Sequence, residues 1–147
     1  MRIAMAADHG GYALKEALKG FLGGLGHEVV DFGTHGEEMV DYPDFSAPAA
    51  QAVASGECER GVFCCGTGLG VMLSANKVHG IRAVVCIDCF SARMSRLHND
   101  ANVLCFGGRV HGVGLAQDLA RLWLETPFEG GRHARRVDKI KALEDRR

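Results

Sequence analysis

Residues 60–70, Arg60-Gly-Val-Phe-Cys-Cys-Gly-Thr-Gly-Leu-Gly70, join a thiol to a run of alternating glycines. The apolar half suits a short buried strand, and the residues that follow, from Val71, can begin a helix. Glycines let bare backbone approach a ligand, and unpaired N–H groups at a helix start point at negative charge. Cys65 stands at the mouth of this cradle, where such a field favours the thiolate. The combination suggests an enzyme acting on an anionic small molecule.

Three chemistries can be weighed against this loop. A dinucleotide site wants G-x-G-x-x-G after the first strand and an acidic residue some twenty positions on. Asp88 is suitably placed, but Val71 stands where the third glycine belongs and the loop follows the third strand. A cysteine phosphatase loop needs an arginine six positions after its thiol. Val71 is there for Cys65 and Gly70 for Cys64. Proton abstraction beside a carbonyl needs a base, an oxyanion hole and a general acid. Cys65 can be the base, the amides of Gly66, Thr67, Gly68, Leu69 and Gly70 with the Thr67 hydroxyl the oxyanion hole, and His98 the acid.

Other residues could join this set. Asp8-His9-Gly10-Gly11 occupies the first strand-to-helix turn; capping accounts for the aspartate and glycines but not for His9. Asp41-Tyr42-Pro43-Asp44 reads first as a helix start, with Tyr42 able to line a pocket from the rim. His98-Asn99-Asp100 is a polar turn, ordinary alone but a plausible acid–base partner beside a thiolate. Arg132 and Arg136 share a face of the last helix directly after Gly130-Gly131. Two forked guanidiniums there suit a phosphate, and a solvated basic face explains them equally well.

The elements that must position these residues alternate regularly. Strand-like runs fall at 2–7, 28–32, 61–65, 81–87 and 103–106, with helical patterns at 12–25, 44–55, 71–78, 90–97, 114–125 and 132–145. In the first helix Leu14, Leu18, Phe21, Leu22 and Leu25 share one face, and Gly23, Gly24 and Gly26 end it. Strands separated by helices imply parallel pairing through right-handed crossovers. The expected fold is a three-layer αβα, Rossmann-like sandwich on a five-stranded parallel sheet, one domain over residues 1–147. Ligands of such sheets bind at the carboxyl ends of the strands, which puts Asp8-His9 and Cys65–Gly70 on one rim.

Composition narrows the function classes. With 147 residues, 47% of them apolar, and a formal charge of −1, nothing global argues for nucleic acid or an anionic membrane. Residues 129–147 carry seven Lys/Arg against four Asp/Glu, an excess that a solvated helix explains. The apolar runs are strand-length and the N-terminus lacks a signal-like core, so a cytoplasmic protein without a membrane span is expected. Six cysteines then read as thiols. Cys86-Ile-Asp-Cys89 is an isolated C-x-x-C, and Cys64-Cys65 is poor spacing for a second zinc-ligand pair, so no metal or redox role is expected.

Across nearly its whole length the chain resembles the type-B ribose-5-phosphate isomerases, in the family that also holds the galactose-6-phosphate isomerase subunits. The resemblance rests on Ala-Ala-Asp8-His9-Gly-Gly-Tyr, Asp41-Tyr-Pro, Cys65-Gly-Thr-Gly-Leu-Gly70, Ala75-Asn-Lys and Gly80-Ile-Arg-Ala. It continues through Ser95-Arg-Leu-His98-Asn99-Asp, Gly108-Arg109-Val and Gly130-Gly-Arg132-His-x-x-Arg136. Leu69 is a modest variant. The resemblance implies Cys65 as proton acceptor and His98 as the donor that opens the furanose ring. It implies a sugar phosphate held by Asp8, His9, Gly66 to Gly70, Asn99, Arg109, Arg132 and Arg136. It also implies no cofactor, a place in the non-oxidative pentose phosphate pathway, and a homodimer with shared sites.

Sequence order gives its own reason for a dimer. His98 and Asn99 lie just before the fifth strand, at the sheet end opposite Cys65, and a five-residue strand spans about 17 Å. His98 and Asn99 are therefore expected to serve the partner's Cys65 across a two-fold interface, with helix 132–145 packed there and a higher oligomer left open. The readings kept beside it are a six-carbon sugar-phosphate isomerase of the same family and a non-catalytic sugar-phosphate-binding module.

Overall fold

The computed structural model describes residues 1–146. Strands β1 (Arg2–Ala7), β2 (Glu28–Asp31), β3 (Arg60–Cys65), β4 (Ala83–Val85) and β5 (Val103–Gly107) form one parallel sheet in the order β2-β1-β3-β5-β4. Between and after them run α1 (Tyr12–Gly24), α2 (Pro43–Ala54), α3 (Leu69–Ala75), α4 (Cys89–Leu97), α5 (Val113–Glu125) and α6 (Arg132–Lys141). Helices cover both faces, so β1, β3 and β5 are near-continuous apolar runs and not alternating ones.

Two cores result, and the pleat decides which residue enters which. Ile3, Met5, Val62, Cys64, Leu104 and Phe106 pack with Leu14 and Leu18 of α1 and Leu119 and Trp123 of α5. Ala4, Ala6, Phe63, Cys65, Val103 and Cys105 pack with Ala49, Ala50 and Val53 of α2 and Val71 and Ala75 of α3. Successive strand residues point to opposite faces, so the neighbouring thiols Cys64 and Cys65 belong to different layers.

Several boundaries differ from the sequence expectation. The expected strand 81–87 contracts to Ala83–Val85 at the sheet edge. The Asn76 side chain brackets Ala83, donating to its carbonyl at 2.9 Å and accepting from its N–H at 2.8 Å. Asn102 Oδ1 takes the Arg82 N–H at 2.8 Å, so side-chain amides satisfy the backbone that a longer ladder would use. Helix α1 stops at Gly24, leaving Leu25 as an exposed cap outside the apolar stripe; Gly26 takes φ +87° and the chain closes with His27 N–H on Leu22 O. Helix α6 ends at Lys141, short of the expected 145, and a separate 3₁₀ turn covers Glu144–Arg146.

One buried ion pair ties α1 to β2. Lys15 lies within the apolar stripe, fully buried, with Nζ 2.7 Å from both Asp31 carboxylate oxygens and 2.9 Å from Glu16. Burial pushes the Asp31 carboxyl up, but hydrogen bonds from Lys15, Lys19 and the Gly33 N–H outweigh it and hold it below the usual range. A carboxylate held low contributes stability above its unfolded value, near ~3.9, which is lost as pH falls through the folded value. Asp31→Asn is expected to cost about 3 kcal/mol at neutral pH, the lower end for a broken buried pair because Glu16 still faces Lys15. The deficit should narrow below about pH 4. Urea unfolding at pH 7 and pH 3 tests this, and an equal deficit at both values would rule out the ion pair as its source.

Candidate active site

At the carboxyl end of β3 the chain drops from Cys65 into the glycine loop. Gly68 takes φ +83°, a conformation that L side chains rarely adopt, and α3 starts directly after it. The helix thus begins at Leu69, two residues earlier than the sequence pattern indicates. That turn folds the Gly68 N–H back onto Cys65 Sγ at 3.1 Å. Cys65 is only 4% exposed, so the sulfur is the floor of the cradle and not its mouth. The Leu69 N–H is donated to Thr67 Oγ1 at 3.3 Å, leaving the Thr67 proton available to a ligand. Two of the five proposed oxyanion amides are therefore committed within the loop, and Gly66, Thr67 and Gly70 remain.

The neighbouring strand ends close on this loop. Asp8 Oδ1 accepts the Gly11 N–H at 3.1 Å, so the aspartate does cap its turn, and His9 Nδ1 accepts from Val40 N–H at 3.3 Å. Gly10 lies against Gly66, the Tyr42 ring lies over Gly70, and the Arg109 guanidinium lies over Gly66, whose carbonyl accepts the Arg109 N–H at 3.0 Å. Asp8, His9, Tyr42, Cys65–Gly70 and Arg109 thus share one rim. His111, which the sequence gave no reason to single out, is buried beneath it. Its Nδ1 accepts from Gly107 N–H at 3.0 Å and its Nε2 donates to Cys86 O at 2.9 Å, fixing the turn that carries Arg109.

Packing here leaves no room for a side chain at Gly107. A methyl group would stand 2.6–2.7 Å from the Thr67 backbone. Gly107→Ala is expected to cost about 2–3 kcal/mol and to displace Thr67. A urea midpoint equal to that of the wild type would show that the loop has slack.

The thiols differ by layer. Burial pushes Cys64 and Cys105 far up, which keeps both protonated. Among the described residues only the Cys65 sulfur receives a loop amide. Cys89 is exposed at the start of α4, and Cys86 is buried with its thiol pushed up by burial.

His98, Asn99, Arg132 and Arg136 stand elsewhere. His98 ends α4 and precedes β5, whereas Cys65 pairs with Gly107 at the far end of β5. The two groups occupy opposite ends of a strand about 17 Å long. The turn holding His98 is cross-linked by hydrogen bonds. Asp100, at φ +47°, is clamped by Arg82 Nη2 and Arg96 Nη1, each 2.9 Å from its carboxylate, and Arg82 Nε donates to Asn99 O at 3.0 Å. The His98 ring stacks on His133 with centroids 4.2 Å apart. Glu129 Oε2 lies 3.9 Å from His98 and 3.8 Å from His133, and Arg132 Nε approaches His133 at 3.4 Å. Helix α6 therefore brings Arg132 and Arg136 to the His98 end. His133, set between Arg132 and Arg136 in the sequence, was the signal available for this cluster; in the fold it is buried, as is Val137 one turn on.

No helix among the described residues is long and apolar enough to cross a membrane. The sequence matches the family described as Ribose/Galactose Isomerase over residues 3–140. Ribose-5-phosphate isomerase B of Escherichia coli is 49% identical, the match covering 99% of this chain and 98% of that protein. Galactose-6-phosphate isomerase subunit LacB of Clostridium acetobutylicum is 38% identical over 99% of this chain and 83% of its own length. The solved structure of Clostridium thermocellum ribose-5-phosphate isomerase B is 57% identical and superposes with a TM-score of 0.98 over 99% of each chain.

Proposed function

The chain belongs to the ribose/galactose isomerase family, and from that premise we propose that it interconverts D-ribose 5-phosphate and D-ribulose 5-phosphate through an enediolate. His98 donates a proton to the ring oxygen and the C1–O bond of the furanose breaks, the C1 hydroxyl giving its proton to solvent to leave the aldehyde. The Cys65 thiolate takes the proton from C2, and negative charge develops on O1. The Thr67 hydroxyl and the amides of Gly66, Thr67 and Gly70 hold that oxygen; each such donor commonly contributes about 3–4 kcal/mol in the transition state. The O2 hydroxyl proton passes to O1, and the Cys65 thiol returns its proton to C1 as O2 becomes the ketone oxygen. No metal or cofactor enters this sequence, because base, acid and oxyanion donors all come from side chains and backbone.

The observation that carries this reading is the Gly68 N–H on Cys65 Sγ at the floor of the glycine loop. A loop amide spent on a sulfur supports that sulfur as an anion, and the neighbouring thiol has no such donor. Asp8, His9, Tyr42 and Arg109 line the same rim and hold the sugar, with Leu69 beside it. Arg132 and Arg136 fix the remote phosphate, so its binding energy orients the carbon under attack.

The separation of the two residue groups supports a homodimer, in which His98, Asn99, Arg132 and Arg136 of one copy complete the rim of the other. Ile140 on α6 and Leu143 just beyond it are exposed, which suits this helix to an interface. We assign the reaction to one domain spanning the chain.

The test is ribulose 5-phosphate formation from ribose 5-phosphate with EDTA present. Sustained turnover is expected. Turnover confined to allose or galactose 6-phosphate would instead favour the six-carbon reading that the LacB relative raises. Binding without turnover of any sugar phosphate would leave a binding module.

A further inference from the structure

Outside the glycine loop, one cluster holds three metal-binding groups. One ring nitrogen each of His98 and His133 and a carboxylate oxygen of Glu129 lie within 4.8 Å of one another. Both imidazoles face the same oxygen, Glu129 Oε2, at 3.9 and 3.8 Å. Two histidines and a carboxylate are a zinc donor set, and such sites keep a fourth position open. A tetrahedral ion with ligands near ~2.0 Å wants donors about 3.3 Å apart. Glu129, whose side chain is 54% exposed, can close its two distances by about half an ångström, and the His98 and His133 rings, stacked with centroids 4.2 Å apart, must turn out of the stack to point both nitrogens at one ion. His133 is nearly buried.

We propose that His98, Glu129 and His133 form a binding site for a divalent transition-metal ion of the zinc class. Its consequence rests on the function proposed above. An ion on His98 Nε2 takes the lone pair that would carry the proton for ring opening, and its charge repels Arg132, whose Nε lies 3.4 Å from His133 Nε2. The ion is then an inhibitor, not a cofactor, and sugar phosphate competes with it.

Binding is read directly on the full chain from the visible spectrum of Co²⁺ and from calorimetry with Zn²⁺. One ion per chain is expected, with affinity falling about tenfold or more in Glu129→Gln and in His133→Gln. Glu129→Gln keeps the readout valid should His133→Gln misfold, because Glu129 is exposed. Cys65→Ala should retain binding, and no sulfur-to-cobalt charge-transfer band should appear in the wild type. Binding lost in Cys65→Ala, or unchanged in Glu129→Gln, would overturn the site. Zn²⁺ should inhibit turnover reversibly with EDTA, and Glu129→Gln should stay active at roughly tenfold higher Zn²⁺. A confirmed ion that leaves turnover intact upholds the site and instead refutes the placing of His98 in the reaction.

Discussion

Cys65→Ala is expected to lower ribulose 5-phosphate formation by about 10²–10⁴-fold, the range that a positioned acid–base group contributes. The loss is expected on kcat, because the proposed oxyanion donors and the arginines proposed to hold the phosphate are untouched. No other thiol can substitute. Cys64 is the adjacent residue, yet the pleat turns it into the α1 and α5 core, where burial keeps it protonated. Cys64→Ala is the matching control: it removes a buried sulfur and should reduce stability by roughly 1 kcal/mol while leaving kcat within a few-fold. Steady-state kinetics of both variants decides the matter. A Cys65→Ala enzyme of near-normal kcat would remove the thiol from the mechanism. Loss of activity in Cys64→Ala at normal stability would reassign the base.

Mixing two inactive variants is expected to restore activity. Cys65→Ala keeps a normal His98, and His98→Asn keeps a normal Cys65. If the sites are shared across a two-fold axis, a mixed dimer contains one site in which both groups are intact and one in which both are lost. Random re-association of equal amounts makes half the dimers mixed, so activity should return to about a quarter of wild type. If each site were built within one chain, every mixed dimer would carry a single defect in both sites and activity would stay at background. Co-unfolding and refolding of tagged variants, followed by purification of the mixed species, gives the measurement. The physical ground is the register of β3 on β5, which places Cys65 beside Gly107 and leaves His98 before Val103.

Much of this protein was determined by its sequence alone. The alternation of apolar runs and amphipathic helices dictates a parallel sheet covered on both faces, because each helical stripe needs a sheet face to bury against. The thiol, the glycine loop and the histidine turn were legible as local patterns, since glycine spacing and strand-to-helix turns are properties of short segments. Tertiary structure decided what those patterns could not. The pleat, and not composition, separates Cys64 from Cys65 and gives only one of them a loop amide. The left-handed Gly68 starts α3 early and uses that amide on sulfur, turning a thiol expected at the mouth into a buried floor. Lys15 sits inside an apolar stripe because Asp31 ends the adjacent strand, a pairing that exists only once β2 lies beside β1. The stacking of His98 on His133 joins residues thirty-five positions apart, through the docking of α6 on the end of α4. Short-range patterns name the candidate groups; long-range packing decides which of them meet, because contact between distant segments depends on the register of the sheet and not on local spacing.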